Sequence, residues 1–126
     1  MDKICLIERD PTKNLRRTLT WREFNNEINK VANYLRNQVG IKKGDRVLHL
    51  LHNSLEWIII YFGIIKIGGV VVPLNFRFIS EDIKHAGQIS KPVAFILGSE
   101  FLDIVSPIQQ DLGTLKNQIP VTTLVS

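Results

Sequence analysis

Few side chains in this sequence could do chemistry, and most of those have a structural explanation. Gly68-Gly69 is the one glycine pair and the first place to look for a phosphate cradle. Its amides follow an apolar helical segment instead of opening a helix, so no helix dipole stands behind them. Close packing and a sharp reversal of the chain explain the pair. No Gly-x-Gly-x-x-Gly and no Gly-Lys-Ser or Gly-Lys-Thr occurs, which excludes the dinucleotide fingerprint and the Walker loop. His49 and His52 invite a metal reading, but an odd spacing on one strand turns them to opposite faces unless the strand ends between them. With Cys5 the single thiol, no zinc site is expected. His52, near a strand's carboxyl end, could touch a ligand or be a hydrogen-bonded loop histidine.

The charged candidates divide in the same way. Asp45-Arg46 reads as a local ion pair. Glu81-Asp82 falls in the first turn of a helix, where acidic residues complement the dipole. Lys66, on a greasy helix, reads as a side chain snorkelling out at the helix end. Arg77 is the candidate binding residue. In Asn75-Phe76-Arg77-Phe78 it lies just past a strand, where a bidentate donor could meet a phosphate; the plainer alternative is an exposed loop arginine. No catalytic residue and no metal ligand is singled out.

The elements that must position Arg77 alternate along the chain. Ile4 to Ile7 is a short apolar run, followed by a polar loop through Arg17 that contains Pro11 and Asn14. Thr20 and Glu23 form a capping box, and Leu19 and Phe24 a hydrophobic staple. Phe24, Ile28, Val31 and Leu35 then make one apolar stripe, ended by Gly40. Lys43-Gly44-Asp45 is a turn into a strand, Arg46 to Leu51. Asn53 or Ser54 caps the next helix, with Glu56 in its first turn. From Trp57 to Ile67 that helix is apolar nearly all round, which predicts a place between layers. Val70 to Leu74, β-branched without alternation, predicts a parallel strand covered on both faces.

Ser80-Glu81-Asp82 begins a third helix that ends near Ser90-Lys91-Pro92, because a residue before proline disfavours helix. Val93 to Leu97 is a further buried strand. Ser99-Glu100 opens a fourth helix, interrupted at Pro107, and Pro120 precedes a last strand, Val121 to Val125. The expectation is one α/β domain over residues 1–126, with strand and loop in 1–18, alternating helices and strands in 19–113, and loop and final strand in 114–126. Such spacing implies right-handed β-α-β crossovers and a parallel sheet layered between helices. Ligands then gather beyond the carboxyl ends of the strands, here the loops after Leu51, Leu74 and Leu97.

Composition narrows the class. A chain of 126 residues can bury a core without staples, and 44% hydrophobic with 22% charged residues fits a globular protein. The formal charge of +4 raises the question of nucleic acid. The positive residues are scattered, however, apart from Lys13, Arg16 and Arg17 and the Lys42-Lys43 turn, so a solvated surface and no nucleic-acid partner are expected. A single cysteine suits a reducing cytoplasm. Met1-Asp2-Lys3 leads into only a short mixed segment, so no signal peptide is expected. The uncharged stretch Trp57 to Ile65 is too short for a bilayer core that needs about 20 residues, so no transmembrane segment is expected.

Taken in order, several motifs resemble the adenylate-forming enzymes: acyl-CoA synthetases, luciferases and peptide-synthetase adenylation domains. Leu19-Thr20-Trp21-Arg22-Glu23-Phe24 is similar to their first core motif, and Lys66 to Asn75 to their second, with Gly69 where many members have alanine. Val39-Gly40-Ile41-Lys42-Lys43-Gly44-Asp45-Arg46-Val47 resembles their Gly-Val-x-x-Gly-Asp-x-Val turn and strand, and Asn53-Ser54-Leu55-Glu56-Trp57 their Asn-Ser-x-Glu helix start. Asn75-Phe76-Arg77-Phe78 with Ser80-Glu81-Asp82-Ile83 reads like the Asn-x-Arg-Leu-x-x-x-Glu-Leu run of fatty-acyl and aryl-CoA ligases. The resemblance spans roughly residues 3 to 105.

What the resemblance implies is part of the large N-terminal domain of an AMP-forming acyl-CoA synthetase. Such an enzyme joins a carboxylic acid, here expected to be a fatty acid, to AMP using ATP and Mg2+, then passes the acyl group to coenzyme A. In some relatives an arginine at the position of Arg77 approaches the nucleotide end of coenzyme A. The family's Ser/Thr/Gly-rich phosphate loop, its adenine and ribose contacts and its catalytic lysine lie downstream of the resembling stretch. This polypeptide alone is therefore expected to be inactive, to bind none of these cofactors tightly, and to self-associate through apolar surfaces and a sheet edge. Two alternatives remain open: a related adenylating enzyme serving a carrier protein or a luciferin, and a non-enzymatic α/β binding or interaction module.

Overall fold

The computed structural model describes residues 3–120. A β-hairpin comes first, β1 (Ile4–Asp10) antiparallel to β2 (Leu15–Thr20). The polar stretch expected to be loop is therefore mostly strand. Pro11, in a single 3₁₀ turn, and Asn14, with φ of 51°, belong to the reversal alone. The reason is a period of two. Leu6 and Leu19 turn inward against the core, while Ile7 faces solvent. Glu8 and Arg17 stand opposite each other in the register, so an inward charged pair disguises the alternation.

Helix α1 (Trp21–Tyr34) starts as the capping box predicts. The Glu23 amide donates to Thr20 Oγ1 at 3.1 Å, and the Thr20 amide to Glu23 Oε1 at 2.9 Å. Its last turn widens into a π-helical turn, Leu35–Val39, closed by Gly40 at φ 84°. Strand β3 (Arg46–Leu50) leads to helix α2 (Leu55–Lys66), capped by Ser54 and not Asn53, and then to β4 (Val70–Pro73). Gly68-Gly69 makes that reversal. Gly68 has φ of 83°, and a Cβ on Gly69 would stand 2.9 Å from Ile64 Cγ2.

Helix α3 (Ser80–Ser90) ends at Lys91 before Pro92, as expected. Strand β5 (Ala94–Leu97) follows. The predicted fourth helix shrinks to one turn, α4 (Leu102–Val105), between 3₁₀ segments Ser99–Phe101 and Ser106–Asp111. Pro107 at the head of the second segment has no N–H to continue an α-helical ladder. Strand β6 (Asn117–Pro120) comes just before the expected last strand, Val121 to Val125, which lies outside the described residues.

Strands β3 to β6 form one parallel sheet in the order β4-β3-β5-β6. Successive residues of β3 serve opposite faces. Val47 and Leu51 pack with α1 and α2, and Leu48 and Leu50 with α3 and the 101–112 segment. Helix α2 is layered between the sheet and α1, where a Cβ on Gly63 would stand 2.6 Å from Val31 Cγ1. It still exposes Phe62 and Ile65. Strand β4 departs further from expectation. It is an edge strand with Val70 46% exposed and its neighbours only half-buried, not a strand covered on both faces. Among the described residues, no helix is long and apolar enough to cross a membrane.

Candidate functional site

The sheet runs β3 to β4 in one direction and then across to β5 and β6 in the other. The loops after β3 and β5 thus flank the point where the strand order reverses, the position that favours a ligand crevice in such sheets. Backbone bonds continue the pairing past the strand ends: Leu74 N to His49 O at 2.8 Å and Gly98 N to Leu50 O at 3.0 Å. The three loops named from sequence, those after Leu51, Leu74 and Leu97, are therefore brought to one edge.

Rings fill this edge. The His52 imidazole lies 4.9 Å from the Phe76 ring and 5.0 Å from the Phe101 ring, centroid to centroid. One residue from each loop thus contributes to a tilted stack. Phe101 is buried and its amide donates to Gly98 O at 3.0 Å, while His52 and Phe76 remain exposed. His49, three residues before His52, points elsewhere. It is fully buried against Trp57 and Tyr61 of α2, with ring centroids 4.7 Å and 6.4 Å away. Its Nε2 donates to the Trp57 carbonyl at 3.0 Å, and burial lowers its pKa to about 4. The two histidines do not meet. Among the described residues, no three His, Cys, Asp or Glu side chains come together as a cation site.

Arg77 stands beside this stack. Asn75 shapes its loop: Asn75 Oδ1 accepts from the Arg77 amide at 2.8 Å, and Asn75 O from the Phe78 amide at 2.9 Å. Two residues on, the Ile79 amide donates to Asp82 Oδ2 at 3.1 Å, so Asp82 is occupied in tying down the start of α3. The Arg77 guanidinium lies 5.4 Å from the centroid of the Phe76 ring and is exposed, and among the described residues no carboxylate pairs with it. In the loops after β3, β4 and β5 it is the one Lys or Arg. A planar donor with a free face, seated on an aromatic ring, is equipped to take an anionic oxygen pair.

The other charged candidates resolve as scaffold. Asp45 and Arg46 do not pair with each other, contrary to expectation. Asp45 Oδ2 accepts from the Lys42 amide at 2.9 Å, and Arg46 donates to Ser90 O at 2.6 Å and Lys91 O at 3.0 Å. Nearby backbone acceptors offer each group a better-aimed partner. Lys66 emerges at the helix end and donates to Asn29 Oδ1 on α1. Sequence reasoning missed Arg17. Its guanidinium joins Glu8 at 2.6 Å and Glu56 at 2.5 Å, and Glu8 Oε1 also accepts from the Leu55 amide at 2.8 Å. The two carboxylates raise the Arg17 pKa. Alternation in Leu15-Arg16-Arg17-Thr18-Leu19 was the available signal, since it puts Arg17 on the same face as Leu19.

Relatives of this chain share both its sequence and its architecture. It is 36% identical over 118 residues to crotonobetaine/carnitine–CoA ligase of Salmonella paratyphi B, covering 94% of this chain and 22% of that protein. The Escherichia fergusonii enzyme of the same name is 37% identical over 100 residues, 79% of this chain and 19% of its own length. The chain thus spans about a fifth of the length of the curated relatives it matches. Among solved structures, the anthranilate CoA ligase AuaEII with anthranoyl-AMP superposes with a TM-score of 0.80 at 28% identity, over 87% of this chain and 21% of that one. The N-terminal domain of FACL13 from Mycobacterium tuberculosis gives 0.80 at 29% identity, over 90% and 29% respectively. The family model described as AMP-binding enzyme matches residues 1–126, and the chain belongs to that family.

Proposed function

We propose that this chain is part of an ATP-dependent acid–CoA ligase that activates a carboxylic acid as its acyl-AMP and transfers the acyl group to coenzyme A. A fatty acid is the substrate we favour. The names of the relatives support acid and coenzyme A as the shared chemistry: one ligase is named for crotonobetaine and carnitine, one for anthranilate, and a further structure of 29% identity is a fatty acyl CoA synthetase. Among the described residues no three His, Cys, Asp or Glu side chains come together to hold Mg2+, so no step is derived through a metal.

The observation that carries the reading within this chain is Arg77, exposed, without an ion pair among the described residues and seated on Phe76 at the carboxyl edge. It fits the anionic nucleotide end of coenzyme A. In the full-length protein, Arg77→Ala should raise KM for coenzyme A roughly tenfold, the cost of a charge-assisted hydrogen bond. The acid-dependent exchange of pyrophosphate into ATP should be unchanged. An unaltered KM for coenzyme A removes the role. The acid itself is tested by a panel of fatty acids, anthranilate and carnitine in the same exchange assay.

The 126 residues by themselves should catalyse no such exchange, because electrostatic clamping of transferring phosphates needs the phosphate loop and lysine that the family resemblance places downstream of the resembling stretch. We further expect them to self-associate through the unpaired β4 edge, where Val70 is exposed; a constant monomer mass by light scattering across concentrations excludes this. The free, half-buried Cys5 suits a cytoplasmic setting.

A further inference from the structure

The lysines that look scattered in sequence are gathered by the topology. Every parallel strand begins at the same edge, opposite Arg77, and the segments leading into them carry Lys42 and Lys43, Lys66, Lys91 and Lys116. Backbone bonds knit these segments into one row: Gly44 N to Gly68 O at 2.8 Å, Val93 N to Arg46 O at 2.9 Å, and Lys116 N to Val93 O at 2.9 Å. All five lysines are exposed. Lys66 is held by Asn29, whereas the ammonium groups of the other four have no hydrogen bond or ion pair among the described residues. Asp45 is the one carboxylate in these segments, and the Lys42 amide occupies it.

Helix dipoles account for Lys66 and Lys91 at the ends of α2 and α3. They do not account for Lys42, Lys43 or Lys116, which lie in turns. A second observation comes from the same edge. Ile65 in the last turn of α2, Val70 at the start of β4 and Ile89 in the last turn of α3 are 45%, 46% and 69% exposed. Unpaired lysines interspersed with bare aliphatic side chains suit the interface of an anionic bilayer, where cations meet headgroups and aliphatics enter the acyl boundary. Single-stranded nucleic acid recognition asks for stacking rings, and residues 40–45, 66–69, 90–93 and 113–116 contain no aromatic side chain.

We propose that the amino edge of the sheet docks on anionic lipid membranes, turning the carboxyl edge and Arg77 away from the bilayer. The inference is independent of the reaction proposed above. The test is co-sedimentation of the purified protein with vesicles of phosphatidylcholine alone or mixed with phosphatidylglycerol. Binding should require phosphatidylglycerol and fall as salt rises. Each basic residue near an anionic surface strengthens binding about fivefold, so Lys42→Glu with Lys43→Glu should weaken it more than tenfold. Lys116→Glu and Ile89→Ser should each weaken it less, and Lys30→Glu on the body of α1 should leave it unchanged. Circular dichroism checks that each variant stays folded. Equal binding to neutral vesicles, no binding to either, or lysine variants that bind as well as the parent overturns the proposal. Displacement from the vesicles by an equal charge concentration of RNA also overturns it and reassigns the edge to nucleic acid.

Discussion

The two faces of the central sheet are built on different terms, although one strand, β3, serves both. On the α1–α2 face, long well-capped helices pack in two layers and accept a buried imidazole, His49, because Trp57 supplies a carbonyl to its Nε2. On the other face, Leu48, Leu50, Phe95 and Leu97 meet α3 and an irregular segment of short turns. The core there is apolar and the polar groups within it are few, Ser80 Oγ donating to the Ile104 carbonyl at 2.6 Å and Gln118 Oε1 lying buried in register with Phe95. Local helix formation carries part of the first face. The second depends on side-chain burial to hold a segment with little order of its own.

The largest predicted effect attacks that dependence. Phe95 is fully buried on the central strand β5, and Phe95→Ala should lower unfolding free energy by about 3–5 kcal/mol in urea titration. It should also raise amide exchange across residues 99–111 before the sheet opens. Ile60→Ala, an equally buried truncation on the other face, should be costly too but should leave protection in 99–111 at the global level. If both variants give the same exchange pattern, the two faces do not differ as described.

The next effect is specific to the α1–α2 face. His49 titrates near 6.5 when unfolded and at about 4 in the folded chain, because burial opposes its charge. Between those values the unfolded state binds more protons, so acid favours unfolding. His49 should therefore cost no stability above pH 6.5, and up to about 3 kcal/mol should be lost as pH falls through the window towards 4. His49→Phe should flatten that part of the stability curve. It also removes the buried Nδ1, which has no hydrogen-bond partner among the described residues. A curve as steep in the variant as in the parent assigns the acid sensitivity elsewhere.

These faces were unequally legible in the sequence. The capping box of α1, the reversal at Gly68 and the end of α3 before Pro92 are local events, written in neighbouring residues. The loop geometry around Arg77 was legible too, since Asn75 and Asp82 act within three positions of their partners. Three features were hidden because they depend on distant contacts. The hairpin carries charges on its inward face, and the start of α2, with Glu56 and the Leu55 amide, explains why Glu8 and Arg17 are there. The exposed edge at β4 reads like a buried strand because apolar β-branched composition does not report strand order. The lysine row exists only once four separate turns are aligned by the sheet. His52 was visible as a loop residue, but its rings, Phe76 and Phe101, come from two other loops.

The smallest effect concerns the seal between the hairpin and the α1–α2 face. Arg17 is 39% exposed and bridges Glu8 and Glu56, which are less so. An exposed pair contributes at most about 1 kcal/mol, whereas breaking a buried one costs about 3–5 kcal/mol. This network lies between, so Arg17→Met should cost about 1–2 kcal/mol, because the cation that bridges Glu8 to Glu56 is then gone. The cost should shrink when salt screens them. Replacing all three groups, with Glu8→Gln and Glu56→Gln added, should recover part of the loss, although the Leu55 amide loses its ionised acceptor. A double-mutant cycle by urea unfolding separates the outcomes. If Arg17→Met is neutral or stabilising, desolvation of the guanidinium outweighs its two ion pairs. The hairpin would then be sealed to the first face by apolar burial and not by its ion pairs.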